Sequence, residues 1–439
     1  MPPVIEPTMS ALIEIVAYLP IGTNLAMLHF LWMLVSGALL PHRGALFPAL
    51  QSTGIGEPAV RRAWAAFHGG MWQISELMVA WERYMQEQQR WQPRRYEGYY
   101  ALAVDTTPFW RPKLQGLFSK YYHSVAEKAL PAVILGLVAR IGQVGGKRLA
   151  LPHSMVRVHP KDPSEAALKK EVLKQVRRLL QAPDIMLADA GFRVKECHEA
   201  RIERYLLRLP KNFTARRNYL AYAPGKKGKK PSKGPRVRPL ARPYKEKEIA
   251  ASAPDATFAW VLETGETVTV EVWYDLVRPD VVPSPTANLF DVYAIADPRY
   301  ENPLIVATNV KLQAQTVHAL YTDRWPIEQL PLAGKQMVGA HRHFVFAAAT
   351  RHRLPELVLL AGSILSGLAA LHPTIPTGFW DRKPQLTPGR FRRALAGLPF
   401  PQSYPLPGQL RQKASVTDHL PKGILAHRRQ KQAATAVLT

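Results

Sequence analysis

Tyr321, Arg324, Glu328 and Lys335 fall at offsets 0, 3, 7 and 14 in the stretch YTDRWPIEQLPLAGK. At about 100° per residue, one continuous helix would carry all four side chains within roughly 60° of one another. An ordinary amphipathic helix gives such a stripe to apolar residues. Here it holds a carboxylate, two cations and a phenol. Such a face is either solvated and salt-bridged, with Arg324 and Glu328 as a simple i,i+4 pair, or the wall of a site that handles charge.

Two upstream segments favour the site. YYALAVDTTPF presents Asp105 after an apolar run, and APDIMLADAGF presents Asp189 in the same way. An aspartate closing an apolar run is often only a turn-former or a helix cap. Two of them followed by a helical glutamate is a rarer combination. Three carboxylates brought together can hold two divalent cations about 4 Å apart, the arrangement that serves in-line phosphoryl transfer. All-oxygen ligands suit Mg²⁺ or Mn²⁺.

The elements that must position these residues follow from patterning. The chain has 439 residues, of which 47% are hydrophobic, enough for two or three domains. Its formal net charge of +25 points to a polyanionic partner, nucleic acid before an anionic membrane, because the charge is spread along the chain. The single cysteine, Cys197, excludes an intrachain disulfide framework and a cysteine zinc site and fits a reducing compartment. Cys197 and His198 are neighbours on a predicted helix and point apart, which argues against a thiol nucleophile. LAMLHFLWMLVSGALL, residues 25–40, is too short to span a bilayer and is interrupted by His29, so it reads as a buried helix.

Residues 1–95 read as a helical N-terminal domain broken at Pro20, Pro41 and Gly69-Gly70. Within it a helix ending near Ser52, a turn at Gly54 and Gly56 and a second helix from Pro58 have the outline of a helix-turn-helix. Arg61 and Arg62 then lie where DNA is contacted; the alternative is a plain structural helix pair. From 96 the pattern becomes α/β. YYALAVD is a strand, AVILGLVARIG and RLALPHSMVRV form a hairpin about Gly145-Gly146, and 163–181 is a helix with Ser164 as a possible cap. IMLAD is a buried strand, followed by a helix near 193–203 and the strand RYLLRLP. Three strands, a helix, a strand, a helix and a strand is the order of a ribonuclease H-like fold.

The expected architecture is therefore α/β, a ribonuclease H-like catalytic core over 96–210 and 291–345. It is interrupted at 211–290 by a basic loop plus a β-strand insertion subdomain and followed at 346–439 by a helical region with a basic tail. The insertion opens on GKKGKKPSKG, whose Lys226, Lys227, Lys229 and Lys230 would bind a phosphate backbone without sequence preference. Two alternating strands follow around Thr264-Gly265, carrying Trp260 and Trp273.

Tyr321-(2)-Arg324-(3)-Glu328-(6)-Lys335, with Asp105 and Asp189-x-Gly191-Phe192 upstream, resembles the signature of the bacterial insertion-sequence DDE transposases of the YREK group, and Trp325 beside Arg324 fits it too. The resemblance covers roughly 100–340. It implies that Asp105, Asp189 and Glu328 are catalytic and hold two Mg²⁺ ions, with Mn²⁺ substituting. It implies cleavage at transposon ends through hairpin intermediates and strand transfer into target DNA. The partners it implies are double-stranded DNA, as terminal inverted repeats and target, and a second copy of the chain in a paired-end complex, in the bacterial cytoplasm at the nucleoid. Tyr321, Arg324 and Lys335 would hold phosphates beside a flipped base, and Trp260 or Trp273, the latter preferred, would stack on that base; either tryptophan could equally be a core aromatic of a small sheet. The other functions open to such a chain are a nuclease without strand transfer and a DNA-binding protein that keeps only the fold. One departure stands out: Pro326 can open a helix at its first position, but Pro331 would then lie inside it and re-aim Lys335 relative to Glu328.

Overall fold

The computed structural model describes residues 2–111, 113–114, 116, 119–221, 231–245, 247–339 and 350–410. Five helices open the chain: α1 (Ile5–Val16), α2 (Thr23–Val35), α3 (Leu46–Gln51), α4 (Glu57–Gly69) and α5 (Ile74–Glu87). The apolar stretch that contains His29 is α2, buried on nearly every side. α3 and α4 are the expected helix pair, with Gly54 between them at φ +74°, a conformation that glycine adopts without Cβ strain.

The central sheet begins with β1 (Tyr99–Trp110), β2 (Lys128–Val144) and β3 (Lys147–Arg157). β2 and β3 are joined through Gly145 and Gly146, both at positive φ, as a tight hairpin requires. α6 (Glu165–Leu179) follows, capped by Ser164, whose hydroxyl accepts from the Ala167 N–H at 3.1 Å. Then come β4 (Asp184–Ala188), α7 (Val194–Ala200) and β5 (Tyr205–Arg208). β1 pairs antiparallel with β2 and parallel with β4, β2 pairs antiparallel with β3, and β4 pairs parallel with β5. The spatial order β3-β2-β1-β4-β5 is consistent with the ribonuclease H-like core expected from the sequence.

The sheet does not stop there. β6 (Ala215–Arg217), β7 (Ala256–Val261), β8 (Thr267–Val277), β9 (Phe290–Ala296) and β10 (Leu304–Thr308) join the same 14-stranded sheet, with β10 against β5 and β8 between β9 and β6. The segment expected as an insertion subdomain is thus continuous with the core, because β9 offers an edge that β8 covers. A two-stranded ribbon, Arg242–Tyr244 with Lys247–Ile249, lies apart from it. Lys226, Lys227, Lys229 and Lys230 fall outside the described residues.

Alternation along the strands sorts side chains onto two apolar layers. Ala101, Ala103, Ile185 and Leu187 point into the layer that includes the terminal helices. Leu102, Val104, Met186 and Ala188 point into the layer of α6 and α7. The chain closes with α8 (Ala314–Thr322), α9 (Pro326–Met337), α10 (Arg353–Leu371) and α11 (Pro388–Leu395). α10 is apolar and long enough to cross a membrane by composition, yet it is buried in the protein. It shares one apolar cluster with α1, α2, α5 and α9, so the helical regions at the two ends of the chain pack as one body.

Candidate active site

The alternation that builds the core also aims the acids. Asp105 has the parity of Ala101 and Ala103, and Asp189 that of Ile185 and Leu187. Both therefore belong to the face covered by α8–α10. The parallel register pairs Ala103 with Leu187, and two further steps along both strands bring Asp105 alongside Asp189. Asp105 lies within β1, where its Oδ1 accepts from the Thr106 N–H at 2.7 Å. Asp189 follows the last residue of β4, and its Oδ1 accepts from the Gly191 N–H at 2.9 Å. A Cβ at position 191 would sit 2.9 Å from that same oxygen, which explains a glycine there. The Asp105 carboxyl is pushed up to about 7 by burial and by the charge of Asp189, with Glu328 adding to the rise and the Thr106 N–H and Arg324 opposing it.

The four residues spaced along YTDRWPIEQLPLAGK do not share one helix. α8 ends at Thr322, just after Tyr321. Arg324 lies in a turn, and α9 begins at Pro326, with Glu328 in its first turn and Lys335 in its last. Pro326 has no N–H to continue the ladder, and the turn is closed by three-residue bonds instead: Arg324 N to Tyr321 O and Ile327 N to Arg324 O, each 3.1 Å. Pro331 is accommodated inside α9.

Arg324 is 7% exposed and donates through Nη2 to Glu328 Oε1. Its Nε and Nη1 are buried without a hydrogen-bond partner among the described residues, and so is the Tyr321 hydroxyl. Buried donors of this kind are costly unless something accepts from them. The Arg324 guanidinium lies 5.5 Å over the Tyr321 ring, so the two unmet groups belong to one place. Lys335 reaches β1: its Nζ donates to Thr107 Oγ1 at 2.9 Å and stands 5.2 Å from the Phe109 ring centre. Burial pulls this ammonium down to about 8, opposed by the charge of Asp105.

A cleft of about 880 Å³ opens beside these groups, with Tyr321, Arg324, Trp325 and Glu328 on one side and the cations Arg148 and Arg208 also lining it. Trp325 is 53% exposed at its edge. Trp273 is the correction among the predicted contacts. It is wholly buried, its Nε1 donates to the Ala253 carbonyl at 2.9 Å, and it presents no face to a base. Trp260 packs against His318 and lines a different groove. Arg61 is exposed on α4 and paired with Glu57, and Arg62 is on the same helix, both in the N-terminal helical body.

Three neighbours of the site carry no sequence signal of their own. The Tyr121 hydroxyl lies 3.3 Å from Thr106 Oγ1, beside Asp105. Thr107 receives Lys335. Asp323, between Tyr321 and Arg324, is buried and ion-paired to Arg94 and Arg148. Cys197 is buried in the core, where its thiol is pushed up by burial.

The carboxylates fit a divalent cation in charge and in donor type: Asp105, pushed toward its neutral form by burial and then by the charge of Asp189, is what a bound cation would relieve. Their spacing is not that of a filled site, since among the described residues no three His, Cys, Asp or Glu side chains gather as a metal cluster. Glu328 is held by Arg324 instead.

Residues 145–345 match the family model of the transposase DDE domain. The span includes Asp189, Tyr321, Arg324, Glu328 and Lys335, while Asp105 precedes it. No curated protein matches the chain. The match covers less than half of the chain; together with the mixed sheet it supports a transposase DDE domain over that span.

Proposed function

We propose that the chain is a DNA transposase of the YREK group, which cuts transposon ends through hairpin intermediates and joins them to target DNA. The observation that carries this reading is that Tyr321, Arg324 and Glu328 line one cleft together with Arg148, Arg208 and Lys211, while Arg324 Nε and Nη1 and the Tyr321 hydroxyl have no hydrogen-bond partner among the described residues. Guanidinium and phenol donors are suited to phosphate oxygens. Asp105, Asp189 and Glu328 would hold the divalent cations, Mg²⁺ or Mn²⁺, whose chemistry when bound is to activate a hydroxyl and stabilise a leaving oxygen. For Glu328 to take that part it must exchange its Arg324 partner for the cation, which frees the Arg324 fork for a phosphate.

The protein's own groups then have distinct tasks. Arg324 and Tyr321 grip the backbone of the strand in the cleft. Lys335, held over β1 by Thr107, adds a cation on the Asp105 side. Trp325 and Tyr300 are both exposed aromatics lining the cleft, and Trp325, beside Arg324, takes over the stacking role first expected of an insertion tryptophan. Two copies of the chain would pair two ends.

The test is a denaturing-gel assay of purified protein with Mg²⁺ or Mn²⁺ and linear DNA carrying the flanks of its own gene. Hairpins and joined products are expected. Nicks that never mature into hairpins or joints would instead make the chain a plain nuclease.

A further inference from the structure

Asp323 sits in the turn between Tyr321 and Arg324, and its carboxylate is buried. Three donors from two other parts of the chain converge on it. The Tyr96 hydroxyl donates to Oδ2, Arg94 Nε is paired with the same oxygen, and Arg148 Nη1 donates to Oδ1 at 3.1 Å. Arg148 also donates to the Thr322 carbonyl at 3.2 Å, the last residue of α8. Tyr96 belongs to a short strand paired with the start of β1, which carries Asp105. Arg94 is tied in turn to Tyr96 at 2.8 Å and to Gln143 of β2 at 2.7 Å.

A buried carboxylate among guanidinium groups is a weak source of net stability, because desolvation offsets most of the attraction. What such a cluster does supply is direction, since each donor fixes an angle as well as a distance. The turn needs it: Pro326 interrupts the helical ladder here, so backbone bonds alone do not set how α8 and α9 meet.

We infer that Asp323 is a positioning residue for DNA cleavage: the Arg94–Tyr96–Asp323–Arg148 network holds the α8–α9 turn, and with it Tyr321, Arg324 and Glu328, in register against the strand that carries Asp105. The inference rests on the transposase reading above. Arg148 extends it, because its side chain also lines the cleft and so connects whatever lies there to the turn.

The experiment compares wild type with Asp323→Asn and Tyr96→Phe in three readouts: affinity for end DNA, single-turnover cleavage rate at saturating DNA, and amide hydrogen exchange. The expected result is affinity within about threefold of wild type and a cleavage rate lower by roughly 100-fold for Asp323→Asn, the scale of a small misplacement of reacting groups. Amides of 321–328 should lose protection while those of β1 and β4 keep it. Unchanged rate and unchanged protection would overturn the inference, as would a loss of affinity that accounts for the whole loss of rate. If Asp323→Asn does not fold, the milder Tyr96→Phe decides by the same readouts. If wild type itself cuts no DNA, the transposase reading fails, and exchange at 321–328 still judges the network: protection unchanged in both variants overturns it.

Discussion

Asp105 within β1 and Asp189 just past the end of β4 each lie two residues beyond the paired Ala103 and Leu187. Strand spacing alone would set their backbones about 5 Å apart. Burial and the charge of Asp189 then push the Asp105 carboxyl up to about 7. Two acids so placed disfavour each other's charged form. Asp105→Asn is therefore expected to abolish cleavage while leaving the unfolding free energy of the metal-free protein unchanged or raised, by up to about 2 kcal/mol. Differential scanning calorimetry without metal checks it, and a large destabilisation would contradict it.

Arg324→Lys should lose most of the activity although charge is conserved. Lysine keeps a point charge but cannot hold Glu328 and present two further donors from one planar fork. A drop in cleavage rate of roughly 100-fold is expected. A rate near that of wild type would show that the fork is dispensable.

The two aromatic candidates separate by stability. Trp273→Phe strands the Ala253 carbonyl and leaves a small cavity, so it should cost about 1–3 kcal/mol in a denaturant titration. Trp325→Ala touches an exposed ring and should stay within about 0.5 kcal/mol of wild type while weakening end binding. The opposite ordering would place the DNA contact in the insertion strands.

Acid should destabilise the helical body through His29. Burial, helped by the charge of Arg62, lowers its imidazole from 6.5 to about 4, and the ring packs edge-on against Phe400. The folded protein keeps it neutral while the unfolded chain takes up a proton. The stabilising contribution is thus complete above about pH 6.5 and is lost as pH falls from there to about 4, a change of up to roughly 3 kcal/mol. His29→Leu should flatten that limb of the stability profile, and an unaltered slope would remove His29 from the cause.

Much of the site was legible because strands and helices impose periods. Alternation in YYALAVD and IMLAD places both aspartates on one face, and the Gly145-Gly146 hairpin and the Ser164 cap are written in residues with few other uses. The spacing of Tyr321, Arg324, Glu328 and Lys335 suggested one helix face, yet Pro326, which the sequence allowed as a helix-opening residue, starts a second helix after Tyr321 and Arg324, with Pro331 inside it. Trp273 was misleading for a different reason. Val268, Val270 and Val272 face one apolar layer and Trp273 the other, and a strand inside a sheet covered on both faces buries both parities. Asp323 was invisible because its partner Tyr96 is 227 positions away, a contact that no local pattern encodes.

The most direct test of the carboxylate site is single-turnover cleavage of end DNA in Mg²⁺ by wild type and by Asp105→Asn, Asp189→Asn and Glu328→Gln. Each substitution is expected to lower the rate by at least about a thousandfold while the variant still binds the DNA. Any one of the three that cuts at a rate near wild type would contradict the assignment of Asp105, Asp189 and Glu328 as the catalytic set.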